Sequence, residues 1–474
     1  MLVAIQVIHA ASDLVERLMP DGGDDKGRAV PSGRISRLSS FGRLAGGVAG
    51  GMVAEGARRL ASGERPRMRD MLLTPGNVSR VADQLAHLRG AAMKLGQMIS
   101  MDAGDMLPPE LAAIMGRLRE NAHRMPPSQL QTVLAKHWGR DWRTRFARFE
   151  PGPIAAASIG QVHRATTRDG RVLAIKVQYP GIAESIDADV DNVATLLRVS
   201  GVLPAGLDIG PLLEEAKQQL KEEADYLREG EQMTRFGALL ADDPRFIVPT
   251  LDREFTTSRV LAMSFIEGVP VETLIDAPQD RRDRVMAALI ALVLRELFEF
   301  KAMQTDPNFA NYRYQPDTGK LVLLDFGAAR AMTPAASAAY RGLLQSGLFG
   351  DTDHVKQAAI DAGILTENMV RQHGAVLGRM IDVIVAELGR PGAFDFGERA
   401  FVGMLREDGM AVASDRSAWH VPPADMLFVQ RKISGTALLA ARLKARVDVR
   451  SMVLAHVQTD SGLAESGQSR ESCR

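Results

Sequence analysis

Asp306 and Asn311 stand five residues apart in Gln304-Thr305-Asp306-Pro307-Asn308-Phe309-Ala310-Asn311, which puts a carboxylate and a side-chain amide on one short polar segment. A carboxylate there can accept a proton from a hydroxyl nucleophile, and an amide oxygen can ligate a hard cation. Fourteen residues further on, Asp325-Phe326-Gly327 follows the apolar run Leu321 to Leu324, so a second oxygen ligand falls at the end of a buried strand. Lys176 closes the strand-like run Val172-Leu173-Ala174-Ile175-Lys176 and offers a point positive charge suited to phosphate. Upstream of it, Ala155-Ala156-Ala157-Ser158-Ile159-Gly160 has side chains small enough for backbone N–H groups to approach an anion, though alanine allows this less freely than glycine. A strand-borne lysine is ordinarily a surface residue, and an Asp-Phe-Gly tripeptide is common. It is their joint order and spacing that suits chemistry on a metal-bound nucleotide phosphate.

The elements that must position these groups can be read from composition and period. A chain of 474 residues, 46% apolar and 24% charged, can bury more than one lobe. Aromatic residues make up only 5%, and the apolar positions rich in Ala, Leu and Met favour helix over β-sandwich. Residues 1–65 read as a loosely structured tail, and residues 66–150 as a helical block. Within that block VADQLAHLRGAAMKLGQMI and LPPELAAIMGRLREN show helical spacing. Between Ile154 and Gln178 the period shortens to that of two strands joined at Arg168-Asp169-Gly170. Helical pattern then runs from Ile182 to Val199 and from Leu212 to Leu240. Strand-like runs follow at Phe246 to Asp252 and Arg259 to Phe265, and from Arg281 onward the chain is mostly helical, ending in a flexible tail.

Fifty-eight basic residues balance fifty-eight acidic ones, so no global charge marks nucleic acid as a partner. The one cysteine, Cys473, cannot close an intrachain disulfide, which fits a reducing compartment and a cytoplasmic location. No apolar run reaches the roughly 18–20 residues a spanning helix requires, and the N-terminus does not follow the pattern of a secretory signal. The nearest approach to a membrane segment is Leu44 to Ala54, with glycines at four-residue spacing. It reads equally as a Gly/Ala linker or as a peripheral contact with an inner membrane.

The Asp-x4-Asn spacing, the Asp-Phe-Gly after an apolar strand and the upstream lysine match the order of a protein kinase. Three further signatures single out one family. Ala91-Ala92-Met93-Lys94-Leu95-Gly96-Gln97 resembles its KxGQ motif, Glu223-Ala224-Asp225-Tyr226 its ExD motif, and Gln304 to Asn311 its QTDPN-x-x-N motif, while alanines replace the usual glycines of the phosphate loop. On these residues the chain resembles the UbiB/ADCK, or AarF-type, atypical kinase-like proteins, in the branch associated with ubiquinone biosynthesis. The resemblance implies an α+β, bilobal protein-kinase-like fold. A small sheet-containing N-lobe would occupy residues 151–268 and a helical C-lobe residues 269–474, preceded by the helical KxGQ extension. It also implies ATP and Mg2+ as cofactors. Lys176 would bind the α- and β-phosphates and pair with Glu229, and Asp306 would hold the catalytic-loop position. Asn311 and Asp325 would ligate the metal, with Ala155, Ala156, Ala157 and Ser158 lining the phosphates. Met263 and Phe265 fall where a hinge would meet adenine through backbone groups, and they could equally be a plain strand end. Lys94 would enter the site and meet Glu223 or Asp225. If Leu212 to Leu240 is one helix, Glu223 and Glu229 project in separated directions, but periodicity does not divide the labour between Glu223 and Asp225.

Two departures from protein kinases bear on function. Gln304 and Thr305 stand where a kinase has His-Arg, and after Asp325-Phe326-Gly327 the chain turns helical without an Ala-Pro-Glu or a long activation segment. A platform for a peptide substrate is therefore missing. The expected function is a Mg2+-dependent ATPase or small-molecule phosphotransferase supporting ubiquinone biosynthesis, with a lipid or quinone precursor and biosynthetic enzymes as partners. The competing expectation is a nucleotide-gated scaffold that organises such enzymes at a membrane without turnover.

Overall fold

The computed structural model describes residues 125–157, 159–199, 210–398, 400–415, 420 and 422–457. Lys94 with the rest of the KxGQ motif, the Leu44 to Ala54 segment, Ser158 and Cys473 lie outside the described residues.

Pro126 and Pro127 open helix α1 (Pro127–Trp138), where a missing N–H costs nothing. A 3-10 turn, Trp142–Arg145, leads into strand β1 (Phe146–Phe149). Trp138, Trp142, Phe146, Phe149 and Phe255 then pack as one aromatic cluster, with ring centroids 4.7–6.2 Å apart. Strand β2 (Ala155–Ala156), β3 (Gly160–Thr167) and β4 (Val172–Gln178) follow, β3 and β4 joined at the turn expected from Arg168-Asp169-Gly170. The first sheet has the order β1-β3-β4-β6, with β2 on the β3 edge and β6 being Val260–Ser264. Because β1 pairs with β3, the sheet begins at Phe146, ahead of the residue 151 at which the N-lobe was expected to open.

Between β4 and β6 lie α2 (Ile182–Val199), α3 (Gly210–Glu223), α4 (Tyr226–Leu239) and the two-residue strand β5 (Phe246–Ile247). The helix expected from Leu212 to Leu240 is thus two helices. Asp225 breaks it: its carboxylate accepts the N–H of Arg228 at 3.1 Å and caps α4, a bond that Asp makes at an N-cap and not inside a helix. The expected strand from Phe246 to Asp252 shrinks to β5 and an isolated bridge from Leu251 to Met263.

After β7 (Val269–Pro270) the long helix α5 (Gln279–Phe298) leads into β8 (Ala302–Gln304), β9 (Tyr312–Tyr314), β10 (Leu321–Leu323) and β11 (Ala329–Ala331). A second sheet, β5-β10-β9-β7, joins strands from both sides of residue 268, and β8 pairs with β11. The C-terminal part is then helical: α6 (Pro334–Phe349), α7 (Thr352–Asp361), α8 (Glu367–Gly389), the short strand β12 (Phe394–Asp395), α9 (Ala400–Ser414), α10 (Ala424–Arg442), β13 (Arg446–Val447) and α11 (Val449–Val457). One continuous core runs from Ile175, Val177 and Leu261 in the first sheet to Leu289 and Leu292 of α5 and Leu439 of α10, so the two lobes share buried apolar surface.

Candidate functional site

Lys176 lies on β4, opposite Val162 of β3 and Leu261 of β6, with its backbone fixed from both sides. Its Nζ donates to both carboxylate oxygens of Glu229, at 2.8 and 3.0 Å, and lies 3.4 Å from Asp325 Oδ2. The nitrogen also sits 5.3 Å from the centre of the Tyr226 ring, within cation–π range. Glu229 occupies the first turn of α4, so the break at Asp225 is what turns this carboxylate toward the lysine. Burial works against the charge of Lys176, and Asp325 and Glu229 overcome it and hold its proton well above the ordinary lysine range. Burial pushes Glu229 up to about 7, with Lys176 opposing that rise. The ammonium is the charge the geometry supports, because two carboxylates face it.

Asp306 and Asn311 lie on the loop between β8 and β9. The Asp306 carboxylate accepts the Asn308 N–H at 3.3 Å, and the Asn311 amide nitrogen donates to the Asp306 carbonyl at 3.4 Å. With that nitrogen engaged, the Asn311 side-chain oxygen is the atom left for a ligand. The Leu324 N–H donates to the Asn311 carbonyl at 3.0 Å, which brings Asn311 beside Asp325. Asp325 is 31% exposed where Glu229 is 1% exposed, so only the former can meet a molecule from the cleft. Its Oδ1 accepts the Gly327 N–H at 2.9 Å, and Phe326 is buried against Phe236, ring centroids 5.2 Å apart.

These donors fit Mg2+. Asn311 and Asp325 supply hard oxygens, and among the described residues no group of three or more His, Cys, Asp or Glu side chains competes for a metal. Magnesium is ordinarily held by one or two protein groups with phosphate and water oxygens completing the octahedron.

Other expected residues are placed less directly. The exposed Ala155 and Ala156 pair with Val162 and Gln161 of β3, and the Ala157 N–H donates to the Gly160 carbonyl at 2.9 Å. Met263 pairs with Ala174. The Phe265 N–H is given to the Val172 carbonyl at 2.9 Å, so at that position an adenine could meet only the carbonyl. Glu223 ends α3 and Asp225 caps α4; neither forms an ion pair with Lys176. The acidic neighbours act instead on the segment after Asp325. Glu215 and Glu222 of α3 each pair with Arg330 at 3.0 Å, and Arg228 donates to the Gly327 carbonyl at 2.8 Å.

One group escaped the sequence reading. Lys432 of α10 is 2% exposed and lies 3.3 Å from the Glu296 carboxylate of α5, itself 1% exposed. Its Nζ donates to the Tyr312 hydroxyl at 3.0 Å and the Gln304 side-chain oxygen at 3.4 Å. Burial works against this charge too, and Glu296 and Tyr312 hold the proton above the ordinary lysine range. Two charges on apolar helix stripes were the available signal: Lys432 falls between Val429 and Leu439, and Glu296 follows Leu289, Leu292 and Val293.

A sheet-borne lysine paired to a helix glutamate, with an Asp-x4-Asn loop and an Asp-Phe-Gly turn beside it, is the arrangement of a protein-kinase-like fold. Residues 117–359 match the model of the ABC1 atypical kinase-like domain. The chain is 38% identical over 427 residues to the mitochondrial atypical kinase COQ8B of Rattus norvegicus, covering 90% of this chain and 80% of that one. It is 36% identical over 432 residues to the mitochondrial atypical kinase COQ8 of Saccharomyces cerevisiae, covering 89% and 84%. Among solved structures, Rv3197 of Mycobacterium tuberculosis, in its complex with erythromycin, superposes with a TM-score of 0.55 at 26% identity, over 80% of this chain and 96% of that one. The chain belongs to the ABC1, or UbiB/ADCK, family of atypical kinase-like proteins, in the branch tied to ubiquinone biosynthesis.

Proposed function

We propose that this chain binds ATP with Mg2+ and hydrolyses it, or transfers its γ-phosphoryl group to a small molecule, in support of ubiquinone biosynthesis. The observation that carries the reading is the preformed Lys176–Glu229 pair with Asp325 beside it. Lys176 would hold phosphate oxygens as a point charge, kept in place by Glu229. Asn311 and Asp325 would hold the metal, which when bound supplies charge neutralisation on the β- and γ-phosphate oxygens. Asp306 is the carboxylate on the same loop, suited to accept a proton from water or an acceptor hydroxyl. Thr305 donates its hydroxyl to the Ala328 carbonyl at 2.8 Å, tying this loop to the segment after Asp325 where a kinase arginine would read a phosphorylated residue.

The acceptor is a small molecule or water in this reading, because β11 and α6 begin directly after the Asp-Phe-Gly turn and leave no peptide platform. A lipid or quinone precursor suits the biosynthetic branch, and a peripheral membrane location, with biosynthetic enzymes as partners, follows from such a substrate. Among the described residues no helix is long and apolar enough to cross a membrane. The same short segment also favours a second reading, a nucleotide-gated scaffold without turnover. Phosphate release from MgATP separates the two. The wild type should exceed background and Asp325→Asn should lose roughly 10²-fold or more, the scale of removing one preorganised electrostatic group. Full activity in Asp325→Asn would refute turnover at this site, and background-level release by the wild type despite tight binding would select the scaffold.

A further inference from the structure

Both ends of the loop that carries Asp306 and Asn311 converge on one buried ammonium. Gln304 opens the loop, and its side-chain oxygen accepts from Lys432 at 3.4 Å while its backbone N–H donates to Glu296 Oε1 at 3.3 Å. Tyr312 follows Asn311 directly, and its hydroxyl accepts from Lys432 at 3.0 Å. Between them Pro307 lies against Gly435, one turn along α10 from Lys432, so closely that a Cβ on that glycine would stand 2.0 Å from the proline Cβ. Glu296, Gln304, Asn311, Asp325 and Lys432 line a single small cavity behind the metal ligands. The match to the family domain ends at residue 359, well before α10.

We propose that Lys432 is a positioning residue which, with Glu296, Tyr312 and Gly435, fixes the Asp306–Asn311 loop in its metal-binding shape. This rests on the Mg2+-nucleotide reading above. A buried ion pair is by itself weak evidence for stability, since an apolar pair of similar volume often serves as well. What distinguishes this one is its partners: the ammonium bonds both ends of the loop, whereas a pair serving the core alone would bond neither. An ordinary kinase sets its catalytic loop through an arginine that reads a phosphorylated activation segment. Here α10 supplies a fixed cation from the opposite side, and no modification is required.

The test is the Mg2+ dependence of nucleotide binding to the full chain, measured by calorimetry with ATP at rising Mg2+ and in its absence, alongside melting curves. Lys432→Met alone leaves Glu296 buried without a counter-charge and should melt earlier. The double variant Lys432→Met with Glu296→Gln removes both charges, keeps an acceptor for the Gln304 N–H and should recover the melting temperature. It should still require roughly tenfold more Mg2+, the usual cost of losing a group that orients metal ligands. Tyr312→Phe keeps the packing and loses only the tie next to Asn311; it should raise the Mg2+ requirement with little change in melting, and it decides the matter if the double variant does not fold. Metal-free ATP binding, set by Lys176, should be unchanged in all. Wild-type Mg2+ dependence in folded Tyr312→Phe would overturn the proposal, as would wild-type dependence in the folded double variant. A wild-type chain that binds no nucleotide would sink the functional reading and this one with it; one that binds without releasing phosphate would leave the present test intact.

Discussion

Gly435 permits the closest approach in the site, and filling it is a sharp perturbation. In Gly435→Ala the new Cβ would stand 2.0 Å from Pro307 Cβ and 2.7 Å from Pro307 Cγ. Carbon atoms pack at roughly 3.5–4.0 Å, so Pro307 must retreat by about 1.5–2 Å or α10 must lift by as much. The proline ring is rigid and directly follows Asp306, so the shift passes to the carboxylate. A misplacement of about 1 Å can cost about 10²-fold in rate, and overpacking typically costs about 1–3 kcal/mol of stability. Phosphate release at saturating ATP and Mg2+ should therefore fall on the order of 10²-fold per folded molecule, with a modest drop in melting temperature. Metal-free ATP affinity should hold, because Lys176 and Glu229 lie on the other lobe. Undiminished turnover in a variant that melts earlier would refute the link between loop position and rate, and an equal loss of metal-free affinity would point to general unfolding instead.

Glu229 gives a pH signature. Burial pushes it from 4.5 to about 7, so between those values the folded chain keeps a proton that the unfolded chain has released. The resulting stabilisation is present below the lower value and lost as pH rises through the upper one. Relative to Glu229→Gln, the wild type should gain denaturant resistance on acidification across that window; parallel profiles would contradict the assignment. In Gly160→Ala the added Cβ would stand 2.5 Å from the Val177 carbonyl oxygen and 2.8 Å from the Tyr226 hydroxyl. Main chain cannot step aside as a flexible side chain does, so urea unfolding should show a loss of about 1–3 kcal/mol, and an unmoved midpoint would show that the β3–β4 edge relaxes freely.

The groups most legible in the sequence were those whose chemistry is local. Asp306 and Asn311 share one loop, Asp325 follows its own apolar strand, and the Arg168-Asp169-Gly170 turn joins strands on either side of it. What stayed hidden depends on contacts that sequence distance conceals. The acidic run through Glu223 and Asp225 reads as one amphipathic helix, and only the Asp225 cap on Arg228 shows where it breaks. That break invalidates the angular comparison of Glu223 with Glu229, which assumed a single axis. The Phe265 N–H lost its availability to a partner ninety-three residues away, Val172. Lys432 finds its partner Tyr312 across 120 residues, and on the sequence it is simply a lysine in a helix. Burial of a charge is a tertiary fact, and only its place on an apolar stripe betrayed it.

The break at Asp225 and the helix α10 together explain how the site can be assembled without an activation segment. Splitting the helix frees α3 and α4 to face different targets: Glu215 and Glu222 hold Arg330 while Glu229 holds Lys176. Arg330 also lies 4.2 Å from the centre of the Phe428 ring, and Phe428 is four residues before Lys432 on α10. One face of α10 therefore touches β11, just past the Asp325 turn, through Phe428, and both ends of the Asp306–Asn311 loop through Lys432. Damage to that face should disturb Asn311 and Asp325 together and leave the Lys176–Glu229 pair standing. Damage to α4 should reach further, because the same helix holds Lys176 through Glu229 and holds the segment after Asp325 through Arg228, which donates to the Gly327 carbonyl, and through Phe236, which packs on Phe326.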